Sequence, residues 1–371
     1  MIYRYPRILA SALALSVAVT GASAQDVIYS LADYMPTWTN PAHAGAFFGT
    51  ARVGGLYRDQ SRGFNAEAFQ TPGFYIDAPL ITLGKKKTMW LGAAGTLISD
   101  TRGLAELNST YATLTASFHT ILDQTRDSRT VLSFGLQGGV VQRRANLMSE
   151  DILLQEEQEV AIGGGGLGIG GGNDRGMMSE LDANGVEIGV GASLGMDLDE
   201  DRSLRFGATV RHIIPADVRL VRQGRDYDLP LLFNVHAQYR QVLDDALVVQ
   251  PSLYVQGRAN TLTAQVQSLV GMYFGEGKRE ERKLISVGVG YRVPQQVYPM
   301  VAFETGGLRV AAAFDIYVGG AQGAIGGSAT NDSGINASDK LFNSAFEIGT
   351  QYILKIYKKP KVEAVILCPQ I

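Results

Sequence analysis

The chain has 371 residues, among them 44 glycines, 12 prolines and one cysteine, with a formal net charge of −3. A charge so near neutrality argues against a nucleic-acid partner, and the lone Cys368 excludes an internal disulfide framework. No stretch after residue 24 supplies the ~18 to 20 apolar residues of a membrane helix, which leaves an all-β protein, either soluble or crossing a membrane as a barrel.

The chain opens with Arg4 and Arg7, a short apolar run from Ile8 to Val19, and the small residues Ala22-Ser23-Ala24. This reads as a secretory signal peptide over residues 1–24, with Gln25 the expected first mature residue. A glutamine there, instead of a cysteine, argues against a lipid anchor. Next, Asn40-Pro41 and Ala44-Gly45 read as turns that lead the mature N-terminus to the first strand. Residues 25–49 are therefore expected to form an N-terminal segment that either packs inside or beneath a barrel or meets periplasmic partners.

Beyond residue 49 the governing pattern is alternation. From Val186 to Met196 one face is wholly apolar and the other carries Glu187, Gly189, Gly191, Ser193 and Gly195. Successive side chains of a strand point to opposite faces, so such a segment separates an oily from a wet environment. The same holds for Leu204, Phe206, Ala208 and Val210 against Arg205 and Arg211, for Leu308 to Ile316 against Arg309 and Asp315, and for Phe346, Ile348, Tyr352 and Leu354 against Glu347 and Gln351. Strands are predicted near 50–58, 71–82, 88–99, 109–122, 129–142, 184–197 and 202–213. Seven more are predicted near 229–242, 246–258, 262–275, 283–293, 296–304, 308–318 and 342–357. Many reach the ~9 to 11 residues that cross a membrane obliquely, and an even count suits a single-chain bacterial barrel with both termini periplasmic.

The connections sort by length. Those at 83–87, 123–128, 198–201, 243–245, 276–282 and 305–307 are short and several are charged, whereas 59–70, 143–183, 214–228 and 319–341 are long. Short periplasmic turns opposite long external loops are the outer-membrane pattern, and a soluble sandwich has no reason to sort its loops this way. The expected fold is thus all-β: a transmembrane antiparallel barrel of about fourteen strands over residues 50–357, with an N-terminal segment and a periplasmic tail over 358–371.

Motifs that suggest chemistry have plainer readings. Gly166, Gly168 and Gly171 make a nominal dinucleotide fingerprint, but the following Asn173-Asp174-Arg175-Gly176 starts no helix, so a flexible external loop is expected. Asp197, Asp199 and Asp201 hint at calcium but lack the glycine and distal glutamate of an EF-hand loop. The four histidines have no zinc-like spacing, and Ser117 with His119 shares a wet face without an evident orienting acid. Neither catalysis, a metal nor a cofactor is expected.

The remaining signals lie near the two ends. Tyr34-Met35 followed by Asn40-Pro41-Ala42-His43-Ala44-Gly45, then Tyr57-Arg58-Asp59-Gln60, Thr71-Pro72-Gly73-Phe74, Asp77-Ala78-Pro79-Leu80, the Leu247–Leu253 strand containing Pro251-Ser252, and a closing Cys368-Pro369 occur in one order. In that order they resemble the PorP/SprF family of the type IX secretion and gliding systems. Arg62 stands where a tryptophan-containing segment is common, and the last residue is Ile371 where phenylalanine is usual. The resemblance implies an outer-membrane, non-enzymatic barrel that assists secretion or surface attachment of cargo proteins. It further implies partners among periplasmic ring lipoproteins and a peptidoglycan-binding component, in addition to outer-membrane lipids. The residues carrying it are Tyr34, Met35, Asn40, Pro41, Ala42, Ala44, Gly45, Tyr57, Arg58, Gln60, Cys368 and Pro369. A passive pore for small solutes is the competing reading, since Arg205, Arg211, Arg240 and Arg258 fall on wet faces.

Overall fold

The computed structural model describes residues 27–60, 69–85, 87–102, 107–125, 127–145, 181–215, 218, 229–244, 246–258, 261–275, 282–293, 296–318 and 344–356. Alternating sequence becomes fourteen strands: β1 (Ala51–Gln60), β2 (Phe69–Leu83), β3 (Met89–Arg102), β4 (Leu107–Gln124), β5 (Arg129–Ala145), β6 (Leu181–Asp197) and β7 (Arg202–Arg211), followed by β8 (Leu232–Val242), β9 (Leu247–Arg258), β10 (Thr261–Phe274), β11 (Lys283–Arg292), β12 (Gln296–Thr305), β13 (Leu308–Tyr317) and β14 (Ala345–Leu354). Each pairs antiparallel with its neighbours in sequence, and β1 pairs with β14 from Ala51 opposite Leu354 to Gln60 opposite Ala345, which closes the barrel. The fold class read from the alternation is the one observed, and the strand ends fall within three residues of the predicted ones.

Closure leaves no free sheet edge along that seam and gives the sheet two different faces. The outer face is oily: Leu114 is 75% exposed and Val287 61%, with Phe74, Leu136, Val190, Val266 and Ile348 exposed around the wall. Water would penalise so much apolar surface, whereas lipid does not. The inner face is polar and buried, as in the Thr113, Thr115, Ser117, His119 row of β4 and in Glu187, Arg211, Gln265 and Glu347.

One rim carries the connections 84–88, 125–128, 198–201, 243–246, 275–282 and 306–307. The last of these is Gly306-Gly307, with φ of 54° and 93°, the left-handed pair that a two-residue hairpin turn demands. In the 198–201 turn, Asp199 accepts from the backbone N–H of Asp201 and Arg202 and from Arg202 Nε at 2.6 Å. Its carboxyl is held below the usual range mainly by the Arg202 side chain. Asp197 pairs with Arg129 at 2.9 Å, so two of the three aspartates in the 197–201 spacing serve the turn and the wall. At the opposite rim β5 and β6 are separated by 146–180, and β13 and β14 by 318–344. The nominal glycine fingerprint, most of both long loops, the signal peptide and the 358–371 tail lie outside the described residues.

Val190 stands mid-strand on the oily stripe of β6 and is 42% exposed. Val190→Arg is expected to destabilise the barrel by about 2 to 4 kcal/mol in denaturant titrations in lipid vesicles. A nitroxide at Val190, but not one at Gly191, should be quenched by a lipid-soluble relaxant; equal accessibility would reverse the assignment of faces.

Candidate functional site in the barrel lumen

Residues 27–49 touch inward side chains from nearly every strand, a set of neighbours reachable only from inside a closed sheet. The segment is a string of short turns: a 3₁₀ turn at Ala32–Tyr34, the one-turn helix α1 (Pro36–Thr39) and a second 3₁₀ turn at Pro41–His43. Asn40 starts the second turn by accepting from Ala42 N at 2.9 Å, with Pro41 in the first position, where its missing N–H costs nothing. The Asn40 amide then donates to Ala192 O of β6 at 3.0 Å.

At the long-loop end the segment meets a buried charge cluster. Glu347 of β14 accepts from Ser30 N and Leu31 N, each at 2.9 Å, while Ser30 Oγ donates to Asp315 of β13 at 2.5 Å and accepts from Arg292 Nη2 at 2.6 Å. Arg58 of β1 pairs with Asp315 at 2.8 Å and also with Glu347, so one guanidinium ties both sides of the barrel's closing seam. Two arginines and two carboxylates neutralise one another there, and the carboxylates' remaining lone pairs hold backbone amides.

In the middle, Asp33 accepts from Gln238 Nε2 and from the Tyr254 hydroxyl. Trp38 lies under the Arg211 guanidinium, 3.4 Å from its ring centroid, and Arg211 pairs with Glu187 at 3.0 Å. Tyr34 sits 5.1 Å beneath Arg309, and burial pushes its phenol up to about 12 against that cation's pull.

At the short-turn end Gly45 has φ of 66° and donates its N–H to Asp77 at 2.7 Å, while Arg52 of β1 grips the same carboxylate at 2.8 and 2.9 Å. Ala44 O accepts from Ser117 Oγ at 2.5 Å and lies 2.9 Å from His119 Nε2, whose other nitrogen faces Ser133 Oγ at 2.7 Å. The Ser–His pair seen in the sequence is thus hydrogen-bonded, with a serine and a backbone carbonyl as its other partners; it holds the segment. The wall is thinned to admit it: a Cβ at Gly135 would overlap the Pro41–Ala42 backbone, and one at Gly92 the Ala44 carbonyl.

The structure brings Tyr34, Met35, Asn40, Pro41, Ala42, Ala44 and Gly45 together in the lumen, with Arg58 anchoring them; Met35 is fully buried. Tyr57 sits on β1 and donates to Asp59 at 3.2 Å, outside the cluster, and Gln60 accepts from Arg58 at 3.3 Å. Cys368 and Pro369 lie outside the described residues. Trp38, Ser30, Asp33, Arg52 and Arg292 belong to the site without having been singled out, because their partners are strands remote in sequence; Asp77, visible only as part of a motif, is the acceptor for Gly45. Most of residues 27–47 are buried against the barrel's inner face.

The family model for "Type IX secretion system membrane protein PorP/SprF" matches residues 22–329. No match was found among curated proteins. Among solved structures, the Pseudomonas putida toluene transporter TodX is 10% identical, with a TM-score of 0.43 over 90% of this chain and 95% of that one. The Ralstonia pickettii toluene transporter TbuX is 12% identical, with a TM-score of 0.38 over 91% and 97%. A Pseudomonas aeruginosa FadL homologue is 10% identical, with a TM-score of 0.37 over 85% and 92%. Likeness at this level assigns neither a ligand nor a route to the present chain.

Two outcomes follow from the geometry. Glu347→Gln keeps the shape but removes a charge that Arg58 faces, and should cost roughly 3 kcal/mol and expose the segment's start to protease. His43 Nε2 lies 3.3 Å from His236 Nε2, and burial first, then His236, Arg205 and Arg52, hold its proton affinity well below the usual 6.5. The folded imidazole stays neutral where the unfolded one takes up a proton. Its contribution is therefore complete above pH 6.5 and is lost as pH falls from there toward the depressed folded value, by at most about 1.4 kcal/mol per pH unit. Denaturant midpoints measured between pH 8 and 5 should show that slope in the native chain and a flatter one in His43→Gln.

Proposed function

The chain belongs to the PorP/SprF family of type IX secretion system membrane proteins, and from that premise we propose that it is a docking barrel and not a conduit. It is an outer-membrane β-barrel with a secretion-related role. On the proposed reading it is non-enzymatic and assists secretion or surface attachment of cargo proteins. The long-loop rim faces the cell surface and meets cargo; the short-turn rim and the 358–371 tail face the periplasm and meet ring lipoproteins and a peptidoglycan-binding component. Residues 1–24 are removed on export, 25–49 fill the lumen, and 50–357 form the barrel. The motif residues Tyr34, Met35, Asn40 to Ala42, Ala44, Gly45 and Arg58 act through this filling, as structural residues.

The observation that carries the reading is the segment bonded from rim to rim across the lumen, through Glu347 at one end and Asp77 at the other. A protein built to pass solutes steadily would not hold its lumen this way. Function is then left to the loops and turns, which a stable scaffold presents. The passive-pore alternative requires steady conductance from the native protein in liposomes.

The test replaces residues 146–180 with a short flexible linker. A heat-modifiable, folded barrel that no longer displays its cargo on the cell surface is the expected result. Normal display with a folded barrel would remove this loop from the mechanism and shift the role to the short-turn rim around Lys85 and Lys87.

A further inference from the structure

Three small cavities border the segment, two against β7 to β10 and the third reaching across the lumen from β7 and β8 to β1, β13 and β14. The first, about 40 Å³, lies in the long-loop half between Val27, Trp38, Arg211 and Tyr254. The second, about 20 Å³, is lined by Asp33, Arg205, Gln238 and Arg240. The third, about 30 Å³, reaches the short-turn half between Asp33, His43, Arg52, Arg205 and Arg309. Each has room for about one to three waters. They are in series: Ala32 and Thr39 border the first and third, and Asp33 borders the second and third.

The charges facing these cavities are one-sided. Arg52, Arg205, Arg211, Arg240 and Arg309 line them, and among the described lining residues the one acidic side chain is Asp33. The carboxylates that pair with the wall arginines, Asp77, Glu187 and Glu304, do not line the cavities. A narrow low-dielectric passage lined by one sign of charge concentrates ions of the other sign. Arg205 and Arg52 also help to keep the His43 imidazole neutral, as a positive local potential requires.

Asp33 interrupts the series in two ways. It supplies the opposing charge, and its carboxylate draws Gln238 from β8 and the Tyr254 hydroxyl from β9 onto the segment, bridging the gap between cavities. We infer that this series of cavities is a latent route for small inorganic anions through the barrel, closed at Asp33, with Asp33, Gln238 and Tyr254 as its gate. The inference goes beyond docking: a barrel that is silent at rest retains a built path whose opening needs three hydrogen-bonding side chains to part and not the whole segment to leave.

Purified full-length protein in planar bilayers under a potassium chloride gradient tests it, with folding checked by heat-modifiability. The native protein should conduct rarely. Asp33→Ala should raise mean conductance at least tenfold, with a reversal potential showing chloride favoured over potassium. Tyr254→Phe removes one bond but keeps the carboxylate, so it should open less and prefer chloride less. Deletion of residues 27–43 should conduct most and shows that a path can be detected. The idea falls if Asp33→Ala is as silent as the native protein while the deletion conducts, if Asp33→Ala favours potassium, or if the native protein already conducts like the variant. Should Asp33→Ala fail to fold, a silent Tyr254→Phe beside a conducting deletion overturns it equally. Cargo display in cells is a separate readout, so loss of this route leaves the docking proposal standing.

Discussion

A fourteen-stranded barrel is too wide for its own side chains to fill, and whatever fills it brings a peptide backbone into a place with little water. Each buried amide there needs an acceptor, at a cost of about 1 to 3 kcal/mol if it has none. The protein meets this constraint with carboxylates on its inner wall. Glu347 holds the amides of Ser30 and Leu31, and Asp77 holds that of Gly45. Each carboxylate is in turn paired with an arginine of β1, Arg58 or Arg52. The same strand thus anchors both ends of the segment, and the lumen's charges serve as hydrogen-bond acceptors before they serve as anything else.

The wall's small residues follow from the same constraint. Gly92 and Gly135 let turns of the segment lie directly against strand backbone, where any side chain would collide. Trp38 and Tyr34 are buried in the lumen and capped by Arg211 and Arg309, whose planar cations pair with carboxylates at their edges and cover aromatic rings with their faces. Outside, the requirement reverses: apolar side chains suit the surroundings, and the strict alternation along β6 results from meeting both demands with one strand.

That alternation is why the barrel was legible from sequence. Each strand's pattern is local, so Val186 to Met196 announces its two faces without knowledge of any neighbour, and the sorting of short and long connections adds the topology. The lumen site was legible only in part. Asn40-Pro41 and Gly45 reveal turns through their own backbone preferences. The pairing of Ser30 with Glu347 spans 317 positions, and nothing local distinguishes Glu347 or Asp315 from any other polar residue on a wet face. Asp33 and Trp38, flanked by ordinary residues, carry no sequence sign of their roles. Ser117 and His119 were visible as a pair on a wet face, but their role was not, because the Ala44 carbonyl they hold lies 73 and 75 positions away.

The seam at which β1 meets β14 joins the first strand made to the last. The acceptor for the Ser30 and Leu31 amides stands on β14 and that for the Ser30 hydroxyl on β13, so the residues ahead of the first strand cannot be satisfied until the final hairpin is in place. Contacts of such high sequence separation make folding slow, because loop closure must precede any gain from them. They also make it all-or-none at the end: a sheet lacking its last strands has an uncapped lumen, unpaired arginines at Arg58 and Arg292, and no native resting place for its own beginning. The state of a single short segment therefore reports completion of the whole barrel.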